Sequence, residues 1–587
     1  MMFTVGRALV VVAVVPLLLA GAALRLAPLA SERRTVAAIS EDGYLMLTVA
    51  RNVALGRSLT IAEGTIATNG VQPLVTFGWA GLHWLTGGER MPALRAVIVA
   101  QLIVALVTAG LVALLARDAF HGQPWRNSGA LFAGSLWFAS PLAVRHTTNG
   151  LETGPYACAI AAILLVDLHW RTRSVSRAAV LGLMLGVLFL IRNDAVFLII
   201  AFLFAELGGL VPAPGGRGGA QTRERRLGQA AVLVAGALAV ASPWLTYNAR
   251  VFGHIVPVSG RAQNLNAQLG ENLVAVPRVL AEYAWMATPL PASFGESWPW
   301  ALVTGIGLVA AVMLTLRRGR NAGLRVHRWM ALLLVHTALL SSYYGVFFGA
   351  AYFLSRYLFP LSLVAVLLPS FWVMSGVTPF GRGALTDGKR GLLVAAMVTV
   401  LVLVSAARLF TRSAVQDHSQ VVDWVSRNLT PETWVGAPQS GTLGYFHDRT
   451  INLDGKVNPL ALRARRDNRL FHYVVDDTQI QYIVDWYGVA RWIDRPDTVQ
   501  EERDVDLLNR MFEVLVRDAE RNLVVLRRRD RPVRAPLTGL SAVGRNHPCY
   551  PLWQKSASGC LRFDTMDFSG YPRSVAFTVE SGASASV

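Results

Sequence analysis

Cysteine is nearly absent, with three in 587 residues, and charge is thin, with only 16% of residues Asp, Glu, Lys or Arg. Three cysteines cannot staple a small disulfide scaffold. Soluble globular chains carry about 25% charged residues, so an ordinary soluble protein is excluded as well. Acids are the scarcer sign, 37 against 55 Lys and Arg, for a formal net charge of +18. With 53% hydrophobic residues the chain is far too apolar for disorder, and 51 Gly and 27 Pro are too few for a collagen-like repeat. What is present instead is a series of apolar runs, several of about 20 residues, the length that spans roughly 30 Å of hydrocarbon. The sequence describes a polytopic α-helical membrane protein.

Eleven apolar windows fall near residues 8–24, 93–116, 128–144, 155–170, 178–191, 195–211, 228–246, 298–316, 329–348, 357–376 and 391–410. Assigning alternate loops to opposite sides gathers 117–127, 171–177, 212–226, 317–328 and 382–390 on one side. Those five hold 17 Lys or Arg against 3 acids, the bias of cytoplasmic loops. Topology thus accounts for the basic excess, and a nucleic-acid partner is not implied. The other side receives the long first loop, 25–92, and everything after 410. Gln72 to Leu85 is apolar but short and broken by Pro73, Gly78 and Gly81, and is expected to be juxtamembrane or re-entrant.

Two domains are expected: residues 1–410 in the membrane and a soluble α/β domain over 411–587 on the external face. In the latter the pattern predicts a helix over 417–429, strands over 434–437, 450–453 and 481–486, an amphipathic helix over 504–522 and a strand over 523–526. Cys549 and Cys560 form a disulfide there, or stand as two unpaired thiols.

The chemistry-bearing residues collect in the outer loops. Glu41-Asp42-Gly43-Tyr44 opens a helix soon after the first span, and Tyr44, Thr48, Arg51 and Asn52 share one face of it. A carboxylate at such a boundary is partly desolvated, which favours general-base work; alternatively Asp42 caps the helix. Asn69 and Gln72 follow in Thr68-Asn69-Gly70-Val71-Gln72-Pro73-Leu74. A second group is Arg145, His146 and Glu152, in a stretch ending Gly150-Leu151-Glu152-Thr153, and a third is Arg192-Asn193-Asp194. Arg192 and Asp194 could instead pair with each other. Arg250 and Arg356 also fall on the side where topology disfavours basic residues, so an anionic ligand would explain them. No metal is implied: His121, His254 and His447 do not cluster, and Asp476-Asp477 and Asp504-Val505-Asp506 sit in solvated contexts. Gly215 to Gly219 lacks the Lys-Ser/Thr of a phosphate loop. Trp486, Trp492 and Trp553 suit core packing better than a carbohydrate platform.

The order of these motifs resembles the GT-C superfamily of polyprenyl-phosphate-sugar-dependent glycosyltransferases. The likeness is greatest to bacterial arabinofuranosyltransferase and mannosyltransferase-like members. Ser440-Gly441-Thr442-Leu443-Gly444-Tyr445-Phe446 and Asn452-Leu453-Asp454-Gly455-Lys456-Val457-Asn458 are similar to a segment of their external domain. The resemblance implies a bacterial inner-membrane enzyme. It would move a pentofuranose or mannose from a lipid-phosphate donor to a glycan, lipid or protein acceptor on the external face, without a metal or other cofactor and usually with inversion. It puts the base on the acidic pair, with Asp42 at the second position and Glu41 where many relatives have Asp. The rival readings are a lipid-linked-sugar transporter or flippase, and a glycan polymerase or ligase.

Overall fold

Over the described residues, each of the eleven apolar windows is mainly helix. They lie on Val15–Leu26, Arg90–Ala119, Arg126–Ala139 with Pro141–Thr147, Thr153–His169, Val175–Ile191, Val196–Leu207, Arg223–Phe252, Trp298–Asn321, Arg328–Val346, the broken stretch 359–375 and Asp387–Arg412. An apolar run in lipid has no water for its backbone groups, and a helix bonds them internally. Residues 11–30, 90–119, 223–252 and 328–346 are long and apolar enough to cross a membrane singly, and 351–357 with 359–374 makes a fifth if that bent pair is one span. The chain is a multi-pass membrane protein. Helix Pro73–Leu85 has 13 residues, a rise of about 20 Å, short of the hydrocarbon thickness.

The computed structural model describes residues 10–170, 173–207, 222–265, 267–321, 327–349, 351–375, 387–412, 418–487, 506–530, 553–556, 559–564 and 576–579. The chain divides into two compact units, one of residues 1–55 and 71–417, the other of 56–70 and 418–587. Residues 56–70 thus part company with the rest of the first loop.

In the first unit, Val175–Ile191 packs along Arg223–Phe252 through Gly182 and Gly186. A Cβ on Gly182 would stand 2.4 Å from the Leu233 carbonyl oxygen, and one on Gly186 2.7 Å from that of Ala237. Small residues four apart let the two backbones touch, which is how helices gain dispersion energy where lipid removes the hydrophobic drive. At the basic-loop end, four helix termini meet in a buried ion cluster. Arg177 donates from Nε to Asp167 Oδ1 and from Nη1 to Glu206 Oε1, both at 2.9 Å. Arg328 reaches the same two acids at 2.9 and 3.0 Å. Arg177 and Arg328 were counted above among the loop charges that set topology; the structure buries both and neutralises them with acids from inside the apolar windows.

The second unit holds a five-stranded sheet in the order Thr450–Asn452, Val435–Ala437, Tyr482–Asp485, Leu523–Arg528, Phe512–Asp518. The first three strands run parallel and the last two are antiparallel additions. Helix Ser419–Asn428 lays Val421 and Val425 on a core of Val435, Ala437, Val484 and Val525. The expected helix over 504–522 holds only for 506–511, with 504 and 505 outside the described residues; it is corrected from there on, since Phe512–Asp518 is a strand paired with Leu523–Arg528. Phe512 is buried and Val516 packs against the core beneath the sheet, while a register shift between Val514 and Val516 leaves Val514 and Leu515 exposed; ladder pairing with Leu523–Arg528 prevailed over the helical pattern. Residues 60–61 and 66–67 form a hairpin whose Glu63 takes Arg449 at 2.7 Å, while Arg57 lies 3.5 Å from Asp448. Asn452 and Asn458 tie the two glycine-containing loops together, Asn452 Nδ2 donating to Ser440 Oγ at 2.9 Å and Asn458 Nδ2 to the Asn452 carbonyl at 2.8 Å. The Cys549 and Cys560 side chains, Trp492 and Gly215 to Gly219 lie outside the described residues.

Candidate active site

Helix Glu41–Ala54 begins where Ser40 is extended and its Oγ accepts the Gly43 amide at 3.1 Å. Ser40 is therefore the cap, which corrects the capping role weighed for Asp42; the Asp42 carboxylate is left for other work. The Ser40 amide and Oγ both donate to the Asn149 carbonyl at 3.0 Å. Gly43 is required there, because a Cβ would lie 2.3 Å from that carbonyl oxygen. Gly150 turns with φ +80°, a conformation that side chains disfavour. Its amide donates to Gln101 Oε1 at 3.2 Å and its carbonyl accepts Trp79 Nε1 at 3.0 Å. The loops carrying the first and second motifs are thus packed backbone to backbone.

Two arginines from distant parts of the chain complete the site. Arg356 Nη1 donates to Asp42 Oδ2 at 2.9 Å. Its guanidinium lies over the rings of Phe353 and Tyr357, at 4.7 and 5.2 Å. Arg192 is held by two carboxylates, Asp194 at 3.0 Å and Glu152 at 3.7 Å, and its Nη1 donates to the Arg356 carbonyl at 3.4 Å. The expected pairing of Arg192 with Asp194 is present, and Glu152 is added to it. Tyr344 donates to Asp194 Oδ2 at 3.1 Å and stacks on Tyr357 with ring centroids 4.0 Å apart. Burial pushes the Asp194 carboxyl up, against the pull of Arg192 and the Tyr344 hydroxyl.

The segment before Arg356 is gripped from two sides. His146 Nε2 is 3.0 Å from Ser355 Oγ, and the Tyr283 hydroxyl donates to the Ser355 carbonyl. Burial first, then Arg145, Arg356 and Arg192, holds the His146 imidazole well below its usual value, so the ring is neutral at pH 7. Arg145 itself is exposed and takes part in no hydrogen bond or ion pair among the described residues. The same holds for the Arg250 side chain, in the last turn of Arg223–Phe252.

Other expected residues lie elsewhere. Tyr44 is buried and its hydroxyl turns back to the Val36 carbonyl at 2.9 Å. Arg51 stands nine residues beyond Asp42, about 14 Å along the helix, and donates to the Gly88 carbonyl at 3.0 Å. Gln72 precedes Pro73, and its carbonyl accepts the Thr76 amide at 3.0 Å. Asn69 is buried in the 56–70 segment of the second unit. The sequence reading passed over Tyr156, Tyr283, Tyr344, Ser355 and Tyr357. The aromatic density of 343–357, with seven Tyr or Phe, was the available signal. Among the described residues no three His, Cys, Asp or Glu side chains gather as metal ligands. The arrangement offers a carboxylate able to take a proton, set against guanidinium groups able to hold an anion.

Residues 407–529 match a family described as a domain of unknown function, DUF8728. No curated protein matches the sequence. Among solved structures, ArnT from Cupriavidus metallidurans bound to undecaprenyl phosphate superposes with a TM-score of 0.52 at 12% identity, over 87% of this chain and 97% of that one. The Archaeoglobus fulgidus oligosaccharyltransferase in its apo form gives 0.51 at 12% identity, over 85% of this chain and 72% of that one. The same organism's AglB, in complex with an inhibitory peptide and a dolichol-phosphate, gives 0.50 at 14% identity over the same shares. The architecture of this chain is therefore GT-C-like.

Proposed function

We propose that the protein is a membrane glycosyltransferase. It transfers a sugar, a pentofuranose such as arabinofuranose or a mannose, from a polyprenyl-phosphate donor to a hydroxyl of a cell-envelope glycan, lipid or protein. The observation that carries this reading is the 2.9 Å contact of Asp42 with Arg356, with Arg192 joined to the Arg356 backbone. Asp42 takes the proton of the acceptor hydroxyl as its oxygen attacks the anomeric carbon, and the configuration inverts. The bond from that carbon to the phosphate oxygen breaks, and the departing phosphate keeps the electron pair, its charge met by arginines. Arg145 and Arg356 serve the phosphate, while Arg192, already matched by two acids, holds the site in shape. Glu41 tunes its neighbour. The two solved relatives with bound polyprenyl phosphates lend support through their shared fold.

In the same proposal the chain crosses the bacterial inner membrane eleven times, with the five basic loops inside and the site and residues 411–587 outside. No metal or other cofactor is needed, since the arginines supply the positive charge. Transfer from radiolabelled polyprenyl-phosphate sugars to envelope acceptors, with purified protein in nanodiscs, tests the reading. Failure of the wild type to transfer from several donors, alongside movement of a lipid-linked sugar between leaflets, would favour the flippase reading instead.

A further inference from the structure

Arg192 and Arg356 differ in how firmly they are committed. Arg192 is 2% exposed and lies between two carboxylates. Arg356 has Asp42 as its one carboxylate within ion-pair distance, and its buried Nε has no hydrogen-bond partner among the described residues. Both members of the Asp42–Arg356 pair keep part of their side chains accessible, 19% and 15%. The Phe353 and Tyr357 rings lie against the guanidinium and its Nη2 donates to the Tyr357 hydroxyl at 3.3 Å, so the group stays anchored when Nη1, the nitrogen on Asp42, changes acceptor.

A carboxylate engaged by arginine is a poor base, for the cation stabilises the ionised form. An opposite charge at this range lowers a carboxylate's proton affinity about 10- to 1,000-fold. The same guanidinium is the best-placed donor for a phosphate, and a phosphate outcompetes a single carboxylate oxygen because it offers two parallel acceptors to the fork.

Building on the glycosyltransferase reading, we propose that Arg356 is exchanged between Asp42 and the donor's phosphate, so that donor binding itself releases Asp42 to act as the base. The order of events follows. Donor binds, its phosphate draws Arg356 off Asp42, and the freed carboxylate accepts the proton of the acceptor hydroxyl. The acceptor oxygen then bonds to the anomeric carbon as the phosphate departs with the electron pair, already on Arg356. The coupling keeps the base quiet toward water until a phosphate is in place.

Linkage makes the proposal measurable without turnover. If bound phosphate raises the proton affinity of Asp42, neutralising Asp42 must tighten phosphate by the same factor. The experiment is equilibrium binding of undecaprenyl phosphate to the purified full-length protein in nanodiscs of neutral lipid. Asp42→Asn should bind it about tenfold tighter than wild type, at the lower end of that range, whereas Glu41→Gln, which removes an equal charge next door, should change it less than threefold. In an Arg356→Gln background the gain from Asp42→Asn should vanish. If Arg356→Gln does not fold, Arg356→Lys replaces it and the gain should shrink. An Asp42→Asn variant that binds no tighter, or whose gain persists undiminished in either Arg356 background, overturns the exchange. Sugar transfer by the wild type on the same preparation separates the two claims: transfer without this coupling sinks the exchange alone, and a wild type that neither transfers sugar nor binds the lipid sinks both.

Discussion

The Ser40 hydroxyl accepts the Gly43 amide at 3.1 Å, and this bond takes over the helix-capping role that an Asp two residues on could have filled. A substitution at Asp42 therefore reports on chemistry with little disturbance of the helix start. Asp42→Asn should leave the thermal unfolding midpoint within a few degrees of wild type and reduce sugar transfer about 100-fold or more. Initial rates with a polyprenyl-phosphate sugar donor check it. Full activity would move the base to Glu41 or Glu152.

Asp194→Leu should be among the more damaging single changes near the site. It leaves Arg192 buried with Glu152, at 3.7 Å, as its one carboxylate partner among the described residues. Breaking a buried pair from one side costs about 3–5 kcal/mol. Replacing both members, Arg192→Met with Asp194→Leu, should recover part of that loss. Thermal unfolding of purified protein in detergent measures both, and an additive double variant would show that the pair is not coupled.

The far end of the same helices gives a parallel case. Arg177→Met removes one of the two arginines that ion-pair with Asp167 and Glu206 among the described residues, and about 3–5 kcal/mol of destabilisation is expected. Arg317→Met, at an exposed position in the last turns of Trp298–Asn321, should cost under about 1 kcal/mol. Equal unfolding midpoints for these two variants would contradict the buried-cluster account.

The neutral His146 sets a pH dependence with a definite sign. Its imidazole is held below the value it has in the unfolded chain, so the unfolded state binds its proton first as pH falls. This contribution to stability is whole above about pH 6.5 and is lost as pH drops from there toward the lowered folded value. His146→Gln should flatten that part of the curve. Unfolding midpoints between pH 5 and 8 test it, and an unchanged slope in the variant would rule out His146 as the source.

Topology is open to a direct check. With Cys549 and Cys560 replaced, a cysteine at Gly219 should be shielded from an impermeant thiol reagent in intact cells, while one at Ser558 should be labelled. Labelling at Gly219 would reverse the assignment of the basic loops.

The membrane helices were legible because long apolar runs have one structural outcome in lipid, and every window is mainly helix over its described residues. The acidic pair and the Arg192 turn stood out because charge is costly beside hydrocarbon. What the sequence could not display was pairing across distance. Asp42 and Arg356 are 314 positions apart, and nothing local to Ser355-Arg356-Tyr357 names its partner. Tyr344 and Tyr357 read as part of the apolar spans, since a tyrosine ring serves a core and a site equally well. Phe512–Asp518 was misread because Val514, Leu515 and Val516 run together without alternating, the register shift between Val514 and Val516 having removed the period of two that marks a strand.

The hairpin of 60–61 and 66–67 has a consequence for how the chain can be cut. Because residues 56–70 fold with 418–587, the polypeptide passes between the two units three times, after Leu55, after Gly70 and after Asp417. A protease that nicks only near 417 would leave the fragments joined through the first loop. Release of the C-terminal unit with its hairpin requires three cuts, and a truncation ending at 417 would strand a hairpin deprived of Asp448 and Arg449.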